Sequence, residues 1–240
     1  MKRWLRALIT ALPEKQVMSP HQVTKDFEKA LAAYTGAPYA VAVTSCTMAL
    51  LLAVAWHLRG HTNASAKVGL VEVSIPKRTY VSVPMSIIHA GGWPTFRDEK
   101  WEGWYQLAPL FVWDSARYFS SGMYSTITSY NAGVYPQGGM VCLSFHAQKT
   151  LCDTQGGAIL HDNAEADEWL RRARFDGRAE GIAPKHDTFT QVGYHCYLSP
   201  DVSTRLLWRL GGLPKHNPPL PWGPGTDSDY PDLSSLEIFK

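Results

Sequence analysis

Apolar and polar positions along the chain alternate between helical and strand periodicity. Between Gln22 and Tyr34 the apolar residues Val23, Phe27, Ala30, Leu31 and Tyr34 recur at helical spacing, with Asp26, Glu28 and Lys29 turned outward, and Gly36 ends the run. Residues 39–43 form a short apolar strand. Thr44-Ser45-Cys46-Thr47 then interrupts with polar side chains, and residues 48–56 are apolar on every side and rich in helix formers, the pattern of a buried helix. The same reading predicts strands at 68–75, 93–96, 109–113, 139–145 and 157–160. It predicts further helices at 80–89, at 164–175 and near 201–210. Elements in this order form an α/β domain with a mostly parallel sheet covered by helices on both faces. In such sheets ligands bind beyond the carboxyl ends of the strands.

Composition narrows the class without choosing within it. The chain has 240 residues, 45% hydrophobic and 18% charged, which fits a soluble globular protein and excludes coiled coil, collagen-like repeats and general disorder. With 23 Lys and Arg against 21 Asp and Glu there is no broad basic field for nucleic acid. The basic stretch Arg171-Arg172-x-Arg174 shares its helix with Glu165, Asp167 and Glu168, the pattern of a solvated face. No apolar run reaches the ~20 residues of a membrane span. The run from Met1 to Ile9 faintly resembles a signal peptide, but Pro13-Glu14-Lys15 breaks it, so a short amphipathic helix of a cytoplasmic protein is expected. The cysteines at 46, 142, 152 and 196 form no Cys-x-x-Cys pair, which indicates reduced thiols, and the nine histidines form no metal motif.

After about residue 185 the character changes. Residues 1–185 read as the main domain and 186–240 as a C-terminal segment whose end, from Leu213, is dense in Pro and Gly. Such a tail cannot build a core of its own. It either lies across the main domain or a partner subunit, or is disordered.

The candidate chemistry centres on Leu143-Ser144-Phe145-His146-Ala147-Gln148-Lys149-Thr150-Leu151, followed by Thr154-Gln155-Gly156-Gly157-Ala158. A lysine just past a buried strand, among apolar neighbours and ahead of a Gly-Gly pair, is poised to lose water. Desolvation lowers its pKa and makes it a nucleophile toward carbonyls; a lone loop lysine is otherwise a solvated charge. Thr44 to Thr47 serves as a helix N-cap or as an anion site. Tyr80 is a core aromatic with a bonded hydroxyl or a stacking ring. Asp114 ends an apolar strand, where a carboxylate needs a partner: Arg117, Arg97 or a cationic group of a ligand.

Ser144-Phe145-His146, two residues, Lys149 and the following Gly-Gly resemble the signature of the DegT/DnrJ/EryC1/StrS sugar aminotransferases. Other stretches match in order. Phe27-Glu28, Tyr34-x-Gly36 and Ala40-Val41-x-Val43-Thr44-Ser45-Cys46-Thr47 are similar to that family's opening helix, first strand and phosphate turn. Pro76-x-x-Thr79-Tyr80-Val81 resembles its Pro-x-x-Thr-aromatic segment, and Trp113-Asp114-Ser115-Ala116-Arg117 its acidic segment. The likeness runs from about residue 22 to 200.

The resemblance implies a three-layer type I pyridoxal-phosphate transferase large domain with a mostly parallel sheet, the C-terminal small domain being largely missing. It implies pyridoxal 5'-phosphate as cofactor, no metal, and a homodimer with the active site at the subunit boundary. The implied reaction moves an amino group from an amino acid such as glutamate to a keto group, most often of a nucleotide-linked sugar. Lys149 would anchor the cofactor and carry protons; Ser45, Cys46, Thr47 and Ser144 would meet the phosphate, Tyr80 would stack on the ring and Asp114 would hold its nitrogen. Arg117 would lie near the phenolic oxygen and His195, on Gly193-Tyr194-His195, would reach a partner's phosphate. Here Cys46 stands where the family has Gly, Trp113 replaces an acid, Arg117 a Gln or His and His195 an Asn. Two alternatives remain open: another pyridoxal reaction on a non-sugar substrate, or a non-catalytic relative acting as a scaffold.

Overall fold

The structure, a computed structural model, describes residues 19, 21–59, 70–129, 138–221 and 230–240. The expected N-terminal helix at 1–9 lies outside them. Helix α1 (Gln22–Thr35) ends at Gly36, whose φ of 76° is left-handed and costs glycine little. Strand β1 (Tyr39–Val43) leads through Ser45 into α2 (Cys46–Leu58). After β2 (Glu72–Pro76), α3 (Ser82–His89) and β3 (Trp93–Arg97) come two short strands, β4 (Tyr105–Gln106) and β5 (Val112–Asp114). Then follow α4 (Met123–Thr128), β6 (Met140–Ser144), β7 (Gly157–His161), α5 (Ala164–Ala173) and α6 (Pro200–Gly211).

The main sheet has the order β1-β7-β6-β5-β4, and β2 and β3 form a parallel pair beside it. Strand β7 is antiparallel to both β1 and β6, while β5 and β6 are parallel. An antiparallel bridge from Ser74 to Ala108 joins the two sheets. Strand direction therefore follows the predicted pattern, with β1, β2, β3, β5 and β6 running together and β4 and β7 against them. The predicted strand at 109–113 is shorter than expected, because residues 107–111 make the turn between β4 and β5, closed by the Leu107 amide donating to the Val112 carbonyl (2.8 Å).

Both sheet faces are covered, which is why the strands read as continuous apolar runs. Val41, Val43, Val112, Met140 and Ile159 pack against α2, α3 and α5. Their neighbours Ala42, Trp113, Val141, Leu143 and Leu160 face α1, α4 and α6. Helix α2 is apolar all round because it lies between the sheet and two further helices. Glu28, inside α1, is the polar tie across these layers: its Oε1 accepts from the Ala42 amide (2.8 Å) and from Arg174, and its Oε2 from Arg171 (2.7 Å).

Residues beyond 185 return to this domain. Helix α6 packs on α1, with Thr24 and Ser203 hydroxyls 2.9 Å apart in the interface. The Ser121 amide donates to the Lys215 carbonyl and the Leu220 amide to the Arg117 carbonyl, each at 2.8 Å. Leu233 and Phe239 are buried. Of the two expectations for the tail, its described parts meet the first: they lie across the main domain. No helix among the described residues is long and apolar enough to cross a membrane.

Candidate functional site

The carboxyl ends of β1, β2, β5 and β6 converge on a cavity of about 430 Å³. Ser45, Cys46, Thr47, Tyr80, Asp114, Arg117, Ser144 and Lys149 all line it. Eight of the nine residues singled out in the sequence are thus brought together. The ninth, His195, lies elsewhere on its own chain: its side chain is 72% exposed and its Nδ1 is 2.9 Å from Asp176 Oδ2. A groove of about 470 Å³ between α1 and α5 is lined by charges that already neutralise one another, among them Lys25 with Glu180 (3.7 Å) and Arg172 with Glu168 (3.9 Å). The cavity at the strand ends is the one that gathers the candidate residues.

Its floor is the start of α2. The Ser45 hydroxyl accepts from the Met48 amide (3.2 Å), an N-cap that holds the first turn open toward the cavity. The N-cap expectation for this turn is met, and it does not compete with the anion-site reading. The amides of Cys46 and Thr47 precede the first intrahelical bond, so they and the positive end of the helix dipole suit an anion. The Thr47 hydroxyl pairs with that of Ser82 (2.8 Å), at the head of α3. Gly157 explains half of the Gly-Gly pair: a Cβ there would sit 2.4 Å from the Ser45 carbonyl carbon and 2.6 Å from the Cys46 nitrogen. Gly156 explains the other half, with φ at 143°.

Asp114 closes the far end. It is 5% exposed, and burial pushes its carboxyl above the usual range. Tyr105 donates its hydroxyl to Asp114 Oδ2 (2.8 Å) and the Ala116 amide donates to Oδ1 (2.9 Å), two bonds that favour the carboxylate without outweighing desolvation. Thr79, 2.6 Å from the Tyr105 hydroxyl, donates to it in turn. Neither Arg97 nor Arg117 pairs with Asp114. Arg97 is taken by Glu99 (2.6 Å), and Arg117 donates to the carbonyls of Leu220 (3.5 Å) and Pro221. Cys46 Sγ, 3.9 Å from Asp114 Oδ1, is a thiol that burial keeps protonated. Buried acid with no cation paired to it among the described residues matches a site that awaits a cationic nitrogen.

Lys149 stands on the turn after β6. Phe145 and Leu151, both buried, pin the turn on either side, and the Lys149 amide donates to the His146 carbonyl (2.8 Å). Its ammonium is destabilised first by burial and then by the Arg117 charge; Asp114 opposes both, and the net pKa lies below that of an ordinary lysine. Tyr80 precedes α3 at the rim with its ring 58% exposed, so the core-aromatic alternative does not hold. Sequence reasoning missed Tyr105 and Ser82 as supporting groups, and named Thr79 only as part of the Pro76-x-x-Thr79-Tyr80 segment. Nothing in its local pattern marks Tyr105, because the register that sets it opposite Asp114 comes from the β4–β5 pairing.

The model of the DegT/DnrJ/EryC1/StrS aminotransferase family matches residues 2–107. The spore coat polysaccharide biosynthesis protein SpsC of Bacillus subtilis (strain 168) is 37% identical over 90 residues, which are 38% of this chain and 21% of SpsC. Over these residues the chain is similar to that family. In fold the chain is similar to S. venezuelae DesV, solved in complex with a ketimine intermediate (TM-score 0.55, 20% identity, 87% of this chain and 60% of DesV). It is also similar to the sugar aminotransferase CalS13 of Micromonospora echinospora (TM-score 0.61, 16% identity, 88% of this chain and 67% of CalS13). The fold is therefore that of the type I transferase large domain, over a chain that spans three fifths of DesV and a smaller part of SpsC.

The residues present fit pyridoxal phosphate. An open helix N-terminus offers a phosphate cradle, a buried acid awaits a ring nitrogen, and a lysine of lowered pKa stands in the same cavity. The cavity's size is that of small-molecule sites in general.

Proposed function

We propose that this chain is a pyridoxal-phosphate-dependent aminotransferase acting on a sugar, with an amino acid, glutamate by preference, as donor and a nucleotide-linked keto-sugar as acceptor. One observation carries the reading: Lys149, Asp114 and the N-terminus of α2 line a single cavity at the strand ends. The likeness to SpsC and the type I fold support it. The bound cofactor would supply an aldehyde and an electron-withdrawing ring that lets an amino acid shed its α-proton.

The chain's own residues do the rest. The first amides of α2, with Thr47 and Ser144, bind the phosphate. Asp114, held by Tyr105 and Ala116, would pair with the ring nitrogen and favour its protonated form, since a cation beside it offsets the cost of its own burial. Burial and, after it, the Arg117 charge lower the Lys149 pKa, which raises the share of neutral amine able to attack a carbonyl. Lys149 Nζ, whose pKa is lowered, would be the group that takes up and returns the donor's α-proton. The exposed imidazole of His195 is available to the cavity of a second copy, in keeping with a homodimer. The protein is proposed to work in the cytoplasm.

Added pyridoxal phosphate is expected to give the protein a visible absorbance band, and borohydride reduction with peptide mass mapping is expected to fix the cofactor on the peptide carrying Lys149. In Lys149→Ala both signals vanish, and turnover falls by at least about 10²–10⁴-fold, the share of a positioned proton carrier. A colourless wild-type protein, or attachment at another lysine, rules the reading out.

A further inference from the structure

One wall of the cavity comes from none of the motifs. Residues 230–240 return to its mouth and are fastened to the loop between β2 and α3. The Leu233 amide donates to the Lys77 carbonyl (2.9 Å), and Arg78 donates to the Tyr230 carbonyl (3.2 Å). The Asp232 carboxylate lies 3.3 Å from Lys77 Nζ and 3.9 Å from the Arg78 guanidinium. Leu233 is fully buried, and the Phe239 ring, also buried, lies 5.9 Å from that of Phe96 on β3. This anchoring sets the Tyr230 ring edge-on to Tyr80, with centroids 6.5 Å apart and planes at 72°. Trp101 lines the same cavity, its indole N–H donating to the Arg78 carbonyl (3.0 Å). Tyr80, Trp101 and Tyr230 all line the cavity, together with the uncharged polar groups of Gln148 and Gln155.

Aromatic faces set beside amide groups match the two kinds of surface on a sugar ring. The C–H face of the ring packs on π-electrons, and its hydroxyls pair with amides. We propose that Tyr230 is a specificity-determining residue whose ring packs against the sugar ring of the acceptor, so that the C-terminal segment completes the substrate site in cis. This rests on the sugar-aminotransferase reading for the identity of the ligand and not for the geometry.

UDP-glucose is the probe, measured by calorimetry and saturation-transfer NMR on the full chain loaded with pyridoxal phosphate. In Tyr230→Ala its Kd is expected to rise about five- to tenfold, the loss of one aromatic contact, with saturation of the glucose protons reduced. Tyr230→Phe keeps the wild-type Kd within about twofold, since the ring face is retained. Asp232→Asn, which leaves the ring intact but loosens its anchor, raises Kd in the same direction, and the cofactor absorbance stays unchanged in all three variants. The proposal is overturned by an unchanged Kd in Tyr230→Ala, by saturation confined to the uracil protons, or by failure of the wild type to bind the probe. A wild type without cofactor absorbance that still binds UDP-glucose through Tyr230 overturns the aminotransferase reading and leaves this assignment standing.

Discussion

At the scale of single residues, the site depends on three charges in one cavity. Burial and the Arg117 charge hold the Lys149 pKa below that of an ordinary lysine, while burial holds the Asp114 pKa above the usual carboxylate range. Removing the Arg117 charge relieves Lys149. Capture of pyridoxal phosphate requires the neutral amine, so its rate rises with pH along the Lys149 titration. In Arg117→Gln the midpoint of that rise is expected to move to higher pH, and the rate at neutral pH to fall several-fold, as followed by absorbance in stopped flow. An unchanged profile would mean that Arg117 acts only as a fastening for Leu220 and Pro221. Most of these residues were legible in the sequence because motif and strand end coincide: the apolar run stops at Asp114, and Lys149 follows another such run. Tyr105 was not, since its role comes from the pairing of β4 with β5, a relation that no local spacing encodes.

Among the elements, the long ones with caps and strong periodicity were read to within a few residues: α1 with Gly36 after it, β1, α2 with Ser45 before it, β6, β7, α5 and α6. Strand β4 has two residues and lies in a Trp-rich stretch with no alternation. Helix α4 spans Met123–Thr128, a short run dominated by poor helix formers, so only its burial against the sheet reveals it. Glu28 reads in the sequence as an outward residue of α1. In the fold it is 3% exposed and answers two arginines and a strand amide, because Arg171 and Arg174 reach it from α5 and the residue that caps it. Glu28→Ala takes from the fully buried Arg174 one of its two carboxylates, with Glu180 remaining at 2.9 Å, so the cost is expected at the low end of that for a broken buried pair, about 3 kcal/mol. Chemical denaturation followed by circular dichroism is expected to show a loss of that size; a change under about 1 kcal/mol would mark the pair as no stronger than a surface bridge.

For the whole molecule, the turn that carries Lys149 is coupled to α6 through Asp153. Both Asp153 oxygens accept from Arg205, at 2.9 Å each, and the Asp153 amide donates to the Phe145 carbonyl (2.8 Å). Hydrogen bonds from Arg205 pull the Asp153 carboxyl down to about 2. Its pKa is lower folded than unfolded, so the stabilisation is complete above the unfolded value of about 3.9 and disappears as pH falls through the folded one. Asp153→Asn is expected to lower stability at neutral pH and to flatten the acid limb of a Tm-versus-pH curve between about 4 and 2. A limb as steep as in the wild type would place the acid sensitivity elsewhere. The path of the tail was the least legible feature, since Pro and Gly give no periodicity. Its position is decided by a few buried anchors, Leu233 and Phe239 among them.

The sheet order has a last consequence for anyone who would trim this protein. Among the described residues β1 is paired along its length by β7, with a single bridge from Val43 to Tyr197 besides, and both partners lie some fifty residues or more beyond the stretch that the family model covers. A fragment ending at residue 107 would expose the hydrogen-bonding edge of β1 along its whole length, and such edges recruit other chains. Expressed by itself, the most recognisable part of this polypeptide should come out of the cell as inclusion bodies.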